Sequence, residues 1–134
     1  MYTDDISAVK LDNKTTKSFS CDVGVKQGCM LSPTLFNLYI SDLVETLAYK
    51  SAGSKINNEK INCLLYADDL VLFSETSNGL QDLLKSLDIY AKDNELTVNT
   101  SKTKIMIFNN NGKTMNNYNF YLENTRLENV KTNI

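Results

Sequence analysis

Apolar positions along this 134-residue chain switch between two periods, and each switch marks an element. Ile6 to Leu11 alternates toward a strand, Asp12-Asn13-Lys14 supplies a turn, and Ser18 to Val25 can return, which predicts a hairpin. Gly24 and Gly28 bracket the loop G-V-K-Q-G-C-M-L, which leads to Ser32 as an N-cap and Pro33 as the first helical residue. Leu35, Phe36, Tyr39, Leu43, Val44 and Leu47 then recur at three- and four-residue spacing, an amphipathic helix to about Lys50. Ser51 to Lys60 is polar and reads as a loop. Ile61–Tyr66 and Leu70–Ser74 are two short apolar runs, predicted to pair antiparallel around Asp68-Asp69, with Leu64, Leu70 and Leu72 available to the core. A second helical stripe, Leu80, Leu83, Leu84, Leu87, Tyr90 and Ala91, covers roughly Asn78 to Asn94. Lys104 to Asn109 alternates as a strand, Asn110-Asn111-Gly112 breaks it, Asn117 to Leu122 alternates again, and Leu127 to Val130 is one more short strand. The order β-β-α-ββ-α-β-β predicts an α+β fold, a mixed and mostly antiparallel sheet with two helices on one face.

Composition narrows the classes. This length supports one domain with a modest core, or a piece of a larger one. A net charge of −2 without histidine is not the basic body of a free-standing nucleic-acid binder, which argues either against a nucleic-acid role or for a fragment whose basic parts lie elsewhere. Cys21, Cys29 and Cys63 are odd in number, widely spaced and unaccompanied by histidine, which suits reduced thiols in a reducing compartment. No signal-peptide pattern and no apolar run of membrane-spanning length is present, so no membrane partner is expected. The Asn-x-Ser/Thr matches at Asn13 and Asn99 read as accidental.

Candidate chemistry gathers in C-L-L-Y-A-D-D-L-V-L-F-S, Cys63 to Ser74. Two carboxylates between buried strands are costly to desolvate unless a cation or water meets them. A purely structural hairpin would favour Asn-Gly or Asp-Gly at its turn. The economical reading is a turn that holds carboxylates toward a divalent metal. A second Tyr-x-Asp-Asp, Tyr2 to Asp5, lacks a preceding apolar strand and reads as a solvated terminus. Ser32 and Pro33 are helix-start residues without chemistry, and Asp42 is the polar side of the first helix. Gln27 has no packing reason to stand between two glycines, which favours a functional role.

The run G-V-K-Q-G-C-M-L-S-P-T-L-F-N-L-Y-I-S-D-L, followed by L-L-Y-A-D-D-L-V-L-F and then E-L-T-V-N-T-S-K-T-K-I-M-I-F, closely resembles the reverse transcriptases of non-LTR (LINE-like) retrotransposons. The likeness covers Gly24 to Phe108, with a weaker continuation in Y-L-E-N-T-R-L-E-N-V-K.

That resemblance implies a partial polymerase palm, with residues 1–134 a single palm domain truncated at both ends. Asp68 and Asp69 match the palm's acidic pair, for two Mg²⁺ ions in the complete enzyme, with Mn²⁺ as a substitute. Tyr66 and Ala67 lie by the primer end, Gln27 and Gly28 border the template base and incoming nucleotide, and Lys102 matches a lysine that protonates or neutralises departing pyrophosphate. The implied partners are an RNA template, a DNA primer and deoxynucleotides. The rest of the polymerase would be needed: fingers, thumb, and a first palm strand carrying a further metal-binding aspartate. Taken alone, then, the chain is expected to be inactive. Read from the residues themselves, Lys102 is equally a solvated loop lysine. A non-catalytic RNA-binding or assembly module derived from a retroelement, and an unrelated α+β domain with a cation-binding acidic turn, stay open.

Overall fold

A computed structural model describes residues 6–21, 24–26, 28–48, 52–108 and 118–130, in two compact units, Met1–Ile40 and Ser41–Ile134. The class is α+β, and among the described residues the strands pair as two-stranded ladders rather than as one continuous sheet.

In the first unit, β1 (Ile6–Ser7) pairs with β4 (Phe19–Ser20), and β2 (Lys10–Leu11) pairs with β3 (Lys14–Thr15), both antiparallel. They form the expected hairpin, closed more tightly than the sequence suggests because Asp12, at φ 52, turns the chain within two residues. Helix α1 (Ser32–Tyr39) follows. Its N-cap is Leu31, without a side-chain cap, so Ser32 is not the cap. Buried Ser32 instead donates from Oγ to the Lys26 carbonyl at 2.6 Å, closing the loop behind it.

The second unit opens on α2 (Leu43–Ala48), so the single helix expected from Ser32 onward is divided at Ile40–Asp42. The break carries neither Gly nor Pro. The Asp42 carbonyl starts the new helix by accepting from Thr46 N and Thr46 Oγ1, both at 2.9 Å. Its carboxylate accepts from the hydroxyl of buried Tyr90 at 2.5 Å, so Asp42 joins two helices rather than merely facing solvent. Lys50 and Ser51 lie outside the described residues.

Strands β5 (Ser54–Ile56) and β6 (Glu59–Ile61) form a hairpin where the sequence read as loop. Asn57 and Asn58, at φ 50 and 67, have the signs of a type I′ turn, which asparagine tolerates. The ladder β7 (Cys63–Tyr66) with β8 (Asp69–Leu72) comes next. Helix α3 (Ser77–Asp93) is capped by Thr76, whose Oγ1 accepts from Gly79 N at 3.1 Å. A Cβ at Gly79 would come within 2.5 Å of Ser74 Oγ, so the cap excludes larger residues there.

Beyond α3, β9 (Lys104–Met106) takes a parallel partner that returns from the end of the chain, β12 (Glu128–Val130), after the small hairpin of β10 (Tyr121–Leu122) and β11 (Thr125–Arg126). The predicted break at Asn110-Asn111-Gly112 and the predicted start at Asn117 lie outside the described residues. The core of the unit joins Leu43 and Leu47 of α2, Cys63 of β7, Leu83, Leu84, Leu87 and Tyr90 of α3, and Ile105, Leu122 and Leu127 behind them. Each fully buried leucine contributes about 1.5–3 kcal/mol relative to exposure, so this cluster outweighs the exposed Lys104–Glu128 ion pair, worth about 0–1 kcal/mol.

Candidate metal-binding turn

The hairpin register decides what each residue of the acidic motif does. Cys63 opposes Leu72 and Leu65 opposes Leu70, so these four share one face; Cys63 is buried, and Leu70 and Leu72 pack against the core. Leu64 opposes Val71 and Tyr66 opposes Asp69 on the other face. Leu64 is therefore 57% exposed and does not enter the core as expected, because it sits one pleat position from Cys63. The inner face anchors the hairpin while the outer face, with Tyr66 84% exposed, stays open.

The turn itself is Ala67-Asp68. Asp68 stands at its apex, whereas Asp69 is the first residue of β8 rather than a turn residue. Of the two central residues only Ala67 has positive φ, at 50, the sign pattern of a type II′ turn, which favours glycine at that place. An alanine held there costs about 1–2 kcal/mol, strain of the kind that persists at functional sites. Both aspartates are exposed, and neither side chain makes a hydrogen bond or ion pair among the described residues.

Of the remaining expected site residues, Gly28 and Lys102 sit in two loops. Gln27 lies outside the described residues. Gly28 is exposed at φ 80, and a Cβ there would meet nothing within 4 Å, so the backbone angle rather than crowding within the chain calls for glycine. In the second unit, exposed Lys102 rides a turn organised by Asn99. The Asn99 Oδ1 accepts from Ser101 Oγ at 2.7 Å and from Lys102 N at 3.2 Å, and the Asn99 carbonyl accepts from Thr103 N and Oγ1. Asn99, whose sequon match reads as accidental, is thus the residue that shapes the loop of Lys102.

As a metal centre the donor set is hard and partial. Carboxylate oxygens suit Mg²⁺, which completes an octahedron with water and substrate phosphates. Among the described residues no group of three or more Asp, Glu, Cys or His side chains converges. Asp68 and Asp69 therefore fit an ion that is shared with other ligands.

One residue behind the site escaped the sequence reading. Asn62 is buried, its Nδ2 donates to the Leu47 carbonyl at 2.8 Å at the end of α2, and its own carbonyl accepts from Phe73 N at 2.8 Å, extending the hairpin ladder. A Cβ at Gly53 would fall 2.0 Å from Asn62 Oδ1, so the small residue makes room for it. The signal was a lone amide inside the run Ile61-Asn62-Cys63. Asn62→Leu should lower stability by about 1–3 kcal/mol, since it strips a buried carbonyl of its partner. Chemical denaturation checks this; an unchanged midpoint would show the amide to be dispensable.

Comparison with known proteins adds to this geometry. The sequence model of the family described as reverse transcriptase (RNA-dependent DNA polymerase) matches residues 1–129. The chain is 49% identical over 78 residues to the Retrovirus-related Pol polyprotein from type-2 retrotransposable element R2DM of Drosophila melanogaster, covering 58% of this chain and 7% of that protein. It is 36% identical over 90 residues to the Pol polyprotein from type-1 retrotransposable element R2 of Nasonia vitripennis, covering 67% and 9%. For a third, the type-1 R2 Pol polyprotein of Popillia japonica, the figures are 32% over 101 residues, 75% and 17%. The chain thus spans a small part of the length of these curated relatives.

Proposed function

The chain belongs to the reverse transcriptase (RNA-dependent DNA polymerase) family, in its non-LTR retrotransposon branch, and from that premise we propose that Tyr66–Asp69 is the metal-binding turn of an RNA-directed DNA polymerase palm. The observation that carries this reading is the anchored hairpin. Its inner face is fixed in the core, while Asp68 and Asp69 reach solvent at its end without partners of their own among the described residues.

In this reading Asp68, at the apex, is the principal ligand of a divalent ion, Mg²⁺ or Mn²⁺, and Asp69 supports it from the outer face of β8. Bound ions of this kind favour the 3′-hydroxyl as a nucleophile and neutralise charge on the triphosphate and its pyrophosphate leaving group. Tyr66 shares its face with Asp69 and offers an exposed ring to the primer end. The backbone at Gly28, with Gln27 beside it, borders the template base and incoming deoxynucleotide. Lys102 supplies positive charge, and a proton, to the departing pyrophosphate. RNA template, DNA primer and deoxynucleotides are the substrates of the complete polymerase, which adds the remaining ligands and the surfaces that hold the duplex.

Mn²⁺ titrated into this chain as a paramagnetic probe tests the assignment without requiring activity. Amide signals of Ala67 to Leu70 should broaden first, and Asp68→Asn should remove that effect. Broadening centred on the acidic residues of α3, such as Asp82 and Asp88, would refute it.

A further inference from the structure

Two features that usually fix the register of a hairpin leave that of β7 and β8 open. The first is apolar patterning. A slip of two positions would set Leu65 against Leu72 and Ala67 against Leu70, keep apolar residues on the inner face, and move the turn to Asp68-Asp69. The second is turn chemistry. The turn as formed holds Ala67 at φ 50, whereas the slipped turn would centre on two aspartates, which tolerate positive φ better than alanine does. Local preference favours the slip, so the observed register has another cause.

The bases of the two strands supply it. Beyond β8, Ser74 Oγ accepts from Thr76 N at 3.2 Å and donates to the Thr76 carbonyl at 2.9 Å, at the start of α3. Glu75 Oε1 accepts from Lys55 N at 3.0 Å. With β8 held there, a slip is a movement of β7, and Asn62 opposes it. This residue is only 6% exposed. Its Nδ2 donates to the Leu47 carbonyl at 2.8 Å and, more weakly, to the Ala48 carbonyl at 3.5 Å, both at the end of α2. Its own carbonyl accepts from Phe73 N, which makes it a rung of the ladder as well. Gly53, at φ 131, leaves the space that the amide fills.

Two strand positions measure about 7 Å. The slip would carry the amide that far from α2, bring Leu64 to the helix end, and leave a buried carbonyl without its donor. A buried polar side chain that is satisfied in one register and orphaned in the next selects the first.

We propose that Asn62 is a positioning residue for the metal-binding turn: by tying β7 to the end of α2, it selects the register in which Ala67-Asp68 is the turn and Asp69 begins β8 opposite Tyr66. Its bearing on a metal rests on the reading of Asp68 given above, while the register is a property of the hairpin alone.

The test reads the register by NMR on the full chain without metal. Cross-strand contacts in the parent should pair Tyr66 with Asp69 and Leu64 with Val71. Asn62→Leu should bring the slipped pairing, Leu65 with Leu72 and Ala67 with Leu70, to roughly a tenth of molecules or more, detected by chemical exchange. Adding Ala67→Gly, which suits the turn as formed, should return the parent register although the amide is still absent. Leu83→Ala opens a cavity at a fully buried leucine outside the hairpin and should keep the parent register. If Asn62→Leu does not fold, Asn62→Ser, whose hydroxyl is too short to reach the Leu47 carbonyl, is measured in its place and held to the same outcomes. Mn²⁺ is then added: broadening at Ala67 to Leu70 should need several-fold more of the ion in the slipped variant and recover with Ala67→Gly. The proposal is overturned if loss of the amide leaves the parent register intact, if Leu83→Ala slips as far, or if the slipped variant responds to Mn²⁺ as the parent does. A parent that shows no broadening at Ala67 to Leu70 refutes the metal reading and with it the positioning role, but not the register result, so the two failures are told apart.

Discussion

In a complete polymerase carrying this segment, Asp68→Asn should abolish nucleotide addition while the fold persists. Asn keeps the size of the side chain at the apex of the Ala67-Asp68 turn and removes only the charge that holds a divalent ion. Asp68 is exposed and has no side-chain partner among the described residues, so nothing in the core depends on it. Charge stabilisation usually contributes more to catalysis than any other effect, and loss of a single preorganised donor already costs roughly 10²–10³ in rate. A loss of at least about 10³-fold, near 4 kcal/mol at the barrier, is the expected size. RNA retention should survive, because phosphate contacts come from basic and hydroxyl groups. Primer extension in Mg²⁺ and an RNA-retention assay on the same preparation separate the two effects. An Asn variant that extends primers at the parent rate would remove Asp68 from the metal site.

Helix α3 was legible in the sequence almost to its ends, because its leucines keep one period for the whole element, whereas its Thr76 cap was passed over. The pairing of β7 with β8 was legible as well, since two apolar runs flank a tight polar turn. Which leucine faces inward was not: Cys63-Leu64-Leu65 is apolar at consecutive positions, and only the register with Leu72 and Leu70 settles the face. The hairpin at Asn57-Asn58 was hidden because its strands, S-K-I and E-K-I, carry too much charge to stand out. The division at Ile40–Asp42 carries no Gly or Pro to announce it, and Asp42 there accepts from a distant partner, the Tyr90 hydroxyl, 48 positions away. Asn62 and Asn99 were passed over for a related reason, because both act through backbone groups that a sequence does not display. The acidic turn, by contrast, stood out as a candidate by residue type alone, and the structure adds how the hairpin beneath it is anchored.

Purified alone, this chain should show no template-dependent incorporation of deoxynucleotides. It spans 7–17% of the length of the three relatives described. Its acidic turn presents two carboxylates, with no convergent third ligand among the described residues. Mg²⁺ dehydrates reluctantly and is held tightly only when substrate phosphates and further carboxylates complete the octahedron. Weak binding at Asp68 and Asp69 is therefore compatible with no catalysis. The chain should also self-associate, since among the described residues β7 pairs with β8 alone and its outer face exposes Leu64 and Val71. The assay is incorporation of labelled deoxynucleotides on a primed RNA template, with size-exclusion chromatography on the same sample. Asp68→Asn serves as the control for contaminating polymerase. Robust incorporation by the parent that disappears in that variant would show that these residues assemble a working centre on their own, and the view of the turn as one contributor to a larger site would have to be abandoned.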